Sequence, residues 1–358
     1  MAQPRACILS VSGLKLTDGE RKLLSETNPW GVILMGRSCE SPAQVKALND
    51  SICDATGRNT LIFIDQEGGR VRRLKPPAWP EFPAPGVYGE LYASDPEAAF
   101  AAAWLHHRLM AAELEPIGIR ADCAPVVDIH HVGMHKIVGD RSFGATVEVV
   151  AELAQAALDG LGAGGVAGVI KHMPGHGRAE VDSHESMPVV RGSREMVEMD
   201  IAPFKAVAHA AMGMTAHLAF PALDDDKTPA TLSSKIIGDV IRGEIGFDGL
   251  LMTDDLGMKA LGGSLASRAT RAVTAGCDVI LHCAGLDAWG KVLRDHDGVL
   301  REMREVVDVC PPLSGESLRR AEAADAATGH VTPFDAAEGR ARLTELLSGG
   351  ARPSTAGA

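Results

Sequence analysis

The chain has 358 residues, of which 46% are hydrophobic, and a formal net charge of −12. This acidic balance, with no run of lysine or arginine, disfavours nucleic acid and anionic membranes as partners. No charge-free apolar stretch reaches the roughly 18 residues of a membrane span, and the N-terminus lacks the apolar core of a signal peptide. The seven cysteines are scattered and contain no C-x-x-C pair. The sequence therefore predicts a soluble, cytoplasmic protein with buried free thiols.

Short apolar runs alternate with helical patterns along the chain. The predicted strands are 6–11, 31–35, 60–65, 121–128, 166–172, 212–219, 249–254 and 278–283. The predicted helices are 41–56, 96–114, 146–162, 193–211, 234–245 and 264–276. Eight strands alternating with helices predict a single-domain (β/α)8 barrel at 4–345, followed by a disordered tail at 346–358. A doubly wound open sheet is the alternative, disfavoured because no G-x-G-x-x-G follows the first strand.

Chargeable residues stand at the ends of five predicted strands. These ends carry Asp65, Asp128, the segment 171–184, His217 and the pair Asp254 and Asp255. In a (β/α)8 barrel, catalytic groups lie where the strands end, so this distribution predicts an active site at that face. A carboxylate at Asp65 could accept hydrogen bonds from vicinal sugar hydroxyls, whereas His217 could line the site or be structural.

The segment 171–184 contains three histidines, a lysine, an arginine and two carboxylates. Asp182 and His184 are two residues apart, so the carboxylate can bond one imidazole nitrogen while the other transfers a proton near neutral pH. Alternatively, His172, His176 and His184 could bind a metal. Their spacing on a Gly/Pro-rich loop fixes no ligand geometry, and the adjacent lysine disfavours a cation.

Asp254 and Asp255 directly follow an apolar run. One of two adjacent carboxylates can cap the following turn while the other acts as nucleophile, base or metal ligand. Arg73 and Arg141 also follow strand ends. They could be ordinary surface charges, or they could recognise hydroxyl, amide or carboxylate groups.

Several motifs occur together and in a fixed order. They are Asp-x-Glu-Gly-Gly-Arg-Val at 65–71, Gly-Asp-Arg-Ser-Phe at 139–143, Lys-His-x-Pro-Gly-His-Gly with Asp-Ser-His at 171–184, Met-Thr-Ala-His at 214–217, Gly-Phe-Asp-Gly at 246–249 and Thr-Asp-Asp-Leu-Gly-Met at 253–258. From about residue 31 to 285 the chain closely resembles bacterial β-N-acetylglucosaminidases of glycoside hydrolase family 3, the NagZ type.

The resemblance implies a (β/α)8 barrel without metal or cofactor that acts on a carbohydrate substrate by a retaining, two-step mechanism. The substrates implied are anhydromuropeptides of peptidoglycan recycling, and we expect a monomer or weak homodimer. The implied catalytic residues are the nucleophile Asp254, the acid/base His184 and its partner Asp182. The residues implied to bind the sugar are Asp65, Arg73, Arg141, Lys171 and His172.

The chain also departs from the family pattern. The loop 130–137 is more basic and histidine-rich than expected, and Gly257 stands where serine or asparagine is more usual. Three other functions stay open: a family-3 β-glucosidase, a metal-dependent barrel hydrolase and a non-catalytic sugar-binding barrel. The glucosidases usually take their acid from elsewhere, often a second domain, for which this chain is too short.

Overall fold

Eight parallel strands form a closed barrel in the computed structural model, which describes residues 3–134, 136–179, 187–258, 260–286, 291–292 and 294–349. The strands are β1 (Arg5–Ser10), β2 (Pro29–Leu34), β3 (Leu61–Ile64), β4 (Ala121–Asp122), β5 (Ala167–Met173), β6 (Met212–Thr215), β7 (Leu250–Met252) and β8 (Ile280–His282). They pair in the order β7-β6-β5-β4-β3-β2-β1-β8. Met252 of β7 bridges to Val279 beside β8, which closes the ring. The predicted barrel is confirmed, and the closed ring excludes the doubly wound open sheet.

Helices cover the outside of the barrel. They are α1 (Asp18–Thr27), α2 (Pro42–Thr56), α3 (Gly86–Tyr92), α4 (Pro96–Leu114), α5 (Val147–Ala163), α6 (Arg194–Ala206), α7 (Leu265–Ala275), α8 (His296–Val307), α9 (Gly315–Ala326) and α10 (Ala336–Leu347), with a π-helix at Ile236–Glu244. Side-chain oxygens cap the starts of α2, α4, α5, α6 and α7. Helix α6 ends at Ala206, earlier than predicted. Helices α1, α3, α8, α9 and α10 were not predicted, although the capping box of α1, formed by Thr17 and Glu20, is visible in the sequence.

Side chains of each strand alternate between two apolar layers. Ile8 and Phe63 fill the barrel interior, whereas Leu9 and Ile64 pack against the surrounding helices. Filling the interior in this way makes the barrel a solid core, so a ligand can enter only at its ends.

Strand β4 is shorter than the predicted run of 121–128. The regular ladder ends at Asp122, and the chain continues irregularly through Pro125, which has no N–H to donate. The chain nevertheless stays beside β5, because the N–H of Val127 donates to the carbonyl oxygen of Lys171 at 2.7 Å. This irregular segment brings Asp128 level with the end of β5.

The seven cysteines are free thiols, five of them buried and two partly buried, in agreement with the sequence analysis. Among the described helices, none combines the length and apolar composition required to cross a bilayer. Helix α10 extends to Leu347, and positions 350–358 of the predicted tail lie outside the described residues.

Candidate active site

Five charged side chains form one ion-pair network where β3 and β5 end. Asp65 contacts Arg73 at 2.5 Å and Lys171 at 2.7 Å. The ammonium nitrogen of Lys171 also lies 2.5 Å from Glu67. Arg141 donates to both oxygens of Glu67 at 2.7 Å, a bidentate geometry that fixes the guanidinium plane. The structure thus brings together four of the residues predicted to hold a sugar.

Burial and neighbouring charges act in opposite directions on this network. Burial alone would raise the pKa of Asp65, but Lys171 and Arg73 outweigh it and hold that pKa well below its usual range. Burial would likewise raise the pKa of Glu67, yet Arg141 and Lys171 keep it low. Burial lowers the pKa of Lys171, but the two carboxylates raise it above the ordinary value. These groups are therefore charged at neutral pH, with three cations facing two carboxylates.

A second cluster is centred on Asp128, whose carboxylate is completely buried. It accepts a hydrogen bond from His172 Nδ1 at 2.7 Å, and from the backbone N–H groups of His172 and His176 at 3.2 and 2.7 Å. Burial raises the pKa of Asp128, but His172 outweighs it and holds the pKa below its ordinary value. The bond to Nδ1 fixes the His172 ring, so Nε2 is the nitrogen through which His172 can meet a ligand.

The proposed metal set is only partly placed by the structure. The rings of His172 and His176 meet edge to face, with centroids 5.3 Å apart. Burial lowers the pKa of His176 to about 4, so its ring is neutral near pH 7. The described residues contain no group of three or more His, Cys, Asp or Glu side chains placed to hold a metal ion. His184 lies outside them.

Asp254 and Asp255 follow β7 but have different surroundings. One oxygen of Asp255 accepts the backbone N–H groups of Cys283 at 2.8 Å and Gly257 at 3.0 Å. This is the capping role predicted for one member of the pair. Both residues are partly exposed, and Oδ1 of Asp254 accepts the backbone N–H of Asp255 at 2.8 Å, whereas Asp255 is occupied in holding the turn. Of the two, Asp254 is therefore the better candidate for a nucleophile.

Asp254 lies at the same end of the barrel as the ion-pair network. Asp65 follows β3, Lys171 stands near the end of β5, and Asp254 follows β7. The strands are parallel, so residues at their carboxyl ends share one face of the barrel. In agreement, burial raises the pKa of the Cys123 thiol in the barrel interior, Lys171 lowers it, and both Asp65 and Asp254 raise it.

His217 has the structural role that the sequence analysis left open. It is completely buried. Its Nδ1 lies 2.7 Å from the hydroxyl of Thr231, and its Nε2 lies 3.0 Å from the carbonyl oxygen of Asp255. These contacts tie the end of β6 to the turn after β7.

The histidine-rich loop borders the segment that leads to Asp182 and His184. His131 Nε2 lies 2.7 Å from one oxygen of Asp200, and Arg178 donates to the other at 2.6 Å. A Cβ at position 177 would lie 1.9 Å from the carbonyl oxygen of Ile129, so glycine is required there. Asp182 and His184 themselves lie outside the described residues, and their proton-transfer role stays a prediction.

Several residues that support this mouth were not predicted as site residues. Glu67 lies in the 65–71 motif and Asp128 at a predicted strand end, but neither was assigned a role. Arg70, in the same motif as Glu67, was not assigned a role either. It donates to Asp140 at 2.9 Å and to the carbonyl oxygen of Ile137 at 2.8 Å, and Arg141 donates to that same carbonyl at 3.0 Å. Arg70 therefore fixes the loop that presents Arg141.

Comparisons with known proteins agree with this geometry. The family model described as the glycosyl hydrolase family 3 N-terminal domain matches residues 2–303. A curated β-hexosaminidase from Alkalilimnicola ehrlichii is 40% identical over 292 residues, which cover 80% of this chain and 83% of the relative. A β-hexosaminidase from Bordetella avium is 37% identical over 285 residues, covering 78% and 81%.

The same relationship appears among solved structures. NagZ from Neisseria gonorrhoeae, solved in complex with N-trifluoroacetyl-D-glucosamine, aligns with a TM-score of 0.82 and 28% sequence identity. The alignment covers 98% of this chain and 99% of that one. The chain is thus a glycoside hydrolase and belongs to family 3, in the β-hexosaminidase branch of that family.

Proposed function

We propose that the chain is a cytoplasmic, retaining exo-β-N-acetylglucosaminidase that acts on anhydromuropeptides during peptidoglycan recycling. It would release terminal, non-reducing β-linked N-acetylglucosamine. The observation that carries the proposal is the Asp65–Lys171–Glu67–Arg141 network with Asp254 at the same end of the barrel. The aligned gonococcal NagZ holds an N-acylated glucosamine, which supports a 2-acylamino sugar as the substrate.

The network suits a neutral sugar because it offers both donors and acceptors. Lys171, Arg141 and Arg73 can donate to hydroxyl oxygens, and Asp65 can accept from hydroxyl hydrogens. His172, fixed by Asp128, adds a further polar contact. Because these groups are already held by one another, they present a preformed surface for one sugar unit.

In the first step, an oxygen of Asp254 attacks the anomeric carbon and forms a glycosyl ester. The bond between that carbon and the leaving oxygen breaks, and His184 donates its proton to that oxygen. Asp182 orients the imidazole and stabilises its protonated form.

In the second step, water attacks the anomeric carbon and Asp254 leaves as a carboxylate. His184 now removes a proton from the water, which returns it to its protonated state. Two displacements at one carbon retain the β configuration in the released sugar.

Substrate specificity tests this proposal directly. We expect kcat/KM for an aryl β-N-acetylglucosaminide to exceed that for the matching aryl β-glucoside by about 100-fold or more, because the acylamino group makes contacts that a hydroxyl cannot. Chelator should leave the rate unchanged. Equal rates on both glycosides would favour a β-glucosidase. Loss of activity on adding chelator would favour a metal-dependent hydrolase. Binding of the sugar without turnover would favour a sugar-binding barrel.

The acid role of His184 predicts a dependence on the leaving group. His184→Ala should lower kcat/KM by about 10² to 10⁴-fold for a poorly leaving alkyl alcohol, and far less for 2,4-dinitrophenol, which departs without a proton. Measuring kcat/KM across a series of aryl and alkyl glycosides checks this. The exposed His209 provides the control, since His209→Ala should match the wild type throughout. A uniform loss for every leaving group would contradict the acid role.

A further inference from the structure

His282, the last residue of β8, is a buried imidazole between two carboxylates. Its Nδ1 lies 3.3 Å from Asp255, and its Nε2 lies 3.5 Å from Glu302 of α8. Only 2% of the His282 side chain is exposed, and neither ring nitrogen has a well-directed hydrogen bond. A carboxylate on each side of the ring favours the positively charged form of the imidazole.

The balance of burial and charge agrees with a protonated His282. Burial lowers its pKa, but Asp255 and Glu302 outweigh burial and raise the pKa to about 9. Asp255, His282 and Glu302 then carry a combined charge of about −1, with the cation in the middle. Without the imidazolium, the two carboxylates would carry about −2.

This triad adjoins the candidate nucleophile. Asp255 follows Asp254 in the chain, and its backbone N–H donates to the Asp254 carboxylate. Burial raises the pKa of Cys283, the residue after His282, and Asp255, Arg73 and Asp254 also act on it. The backbone N–H of Cys283 donates to the Asp255 carboxylate, so the end of β8 and Asp254 both contact Asp255.

Other charged groups share these surroundings. Glu302 accepts the N–H of Gly285 at 2.6 Å and contacts Arg294 at 3.3 Å. Burial lowers the pKa of the nearby Arg37, and the charge of Glu302 opposes that change. On the other side of the turn, Arg268 interacts with Asp255 and donates to the carbonyl oxygens of Leu256 and Met258. The ionisable groups described around the triad and Asp254 thus include Arg268, Arg294, Arg37, Arg73, Cys283 and Cys123. Among them, His282 is the group that lies between Asp255 and Glu302.

We propose that His282 is a positioning residue for the nucleophile, an inference that rests on the proposed function. Its charge offsets Asp255 and Glu302 and so keeps Asp254 ionised at lower pH. Its contact with Asp255 also holds the turn that carries Asp254. His282 itself does not touch the reacting atoms.

Two substitutions that change the local charge in opposite directions test the proposal. The acidic limb of kcat/KM should be measured on a 2,4-dinitrophenyl glycoside, which needs no proton from His184. His282→Leu removes a positive charge and should shift that limb upward by about half a pH unit or more. Glu302→Gln removes a negative charge and should shift it downward by a similar amount.

A control at the other end of the barrel separates this effect from lost stability. Arg320 contacts Asp278, before β8, at 3.2 Å, so Arg320→Gln removes a charged contact far from the mouth. It should lower the melting temperature without moving the limb. If His282→Leu does not fold, His282→Gln and Glu302→Gln carry the test.

Opposite shifts support the role of His282, whereas no shift or shifts in one direction in folded variants overturn it. Failure of the proposed function gives a different result. In that case the wild-type protein would not hydrolyse the N-acetylglucosaminide, or a trapping reagent would label a residue other than Asp254.

Discussion

Replacing Asp254 with asparagine is expected to lower kcat on aryl N-acetylglucosaminides by on the order of 10⁴-fold or more. An amide is uncharged and cannot form the glycosyl ester. The first displacement therefore has no nucleophile, and the second has no ester to hydrolyse. The amide oxygen can still accept the N–H of Asp255, so the fold should be retained. Steady-state kinetics and thermal unfolding measure the two effects separately.

Asp255 supplies the matched control for this substitution. Asp255→Asn should weaken the contacts to Cys283 and Gly257, and so lower the melting temperature while retaining more activity than Asp254→Asn. A slowly hydrolysed fluorosugar, followed by peptide mapping, should label Asp254 in the wild type and in Asp255→Asn. Covalent label on any other residue would refute the nucleophile assignment.

Replacing Lys171 with methionine is expected to lower the free energy of unfolding by about 3–5 kcal/mol at pH 7. The substitution leaves Asp65 and Glu67 buried with only the two arginines as partners. Urea unfolding measures the loss. The matched control is Lys205→Met, which removes an ion pair to Glu244 from a side chain that is 43% exposed and should cost under about 1 kcal/mol.

The pH dependence of this loss has a definite sign. In the wild type, the pKa values of Asp65 and Glu67 are held below their ordinary values. Their stabilisation is present above about pH 4 and decreases as the pH falls through the folded-state values. The stability difference between wild type and Lys171→Met should therefore narrow below pH 4. Equal stability of the two lysine variants at pH 7 would contradict the network.

The barrel could be predicted because its buried strands appear in the sequence as short apolar runs, and several of its helices appear as apolar residues at helical spacing between those runs. The end of β4 was not predicted correctly, because the apolar run continues past Asp122 and through Pro125, a residue that has no N–H for a strand ladder. The start of α6 was predicted within one residue, but the predicted end at 211 lies five residues beyond Ala206. The pattern predicted the eight strands but only part of the helices, and it predicted the limits of elements poorly, because limits depend on tertiary contacts.

The site was predicted through residues at strand ends, and its supporting carboxylates were missed for a physical reason. Glu67 is 74 residues from Arg141, so their pairing exists only once the barrel closes. Asp200 had a visible signal, because it lies on the buried face of α6 between Val197 and Phe204. A carboxylate on an apolar helix face needs a partner, and here it has His131 and Arg178.

The mutual bonding of Asp65, Lys171, Glu67 and Arg141 also bears on the thermodynamics of ligand capture. Long side chains such as lysine and arginine lose up to about 2 kcal/mol of rotamer entropy when they become fixed. In this mouth that loss occurs when the protein folds, since the carboxylates already hold both cations. A sugar that enters this site meets donors and acceptors that are already immobilised, so its binding requires little additional loss of side-chain entropy.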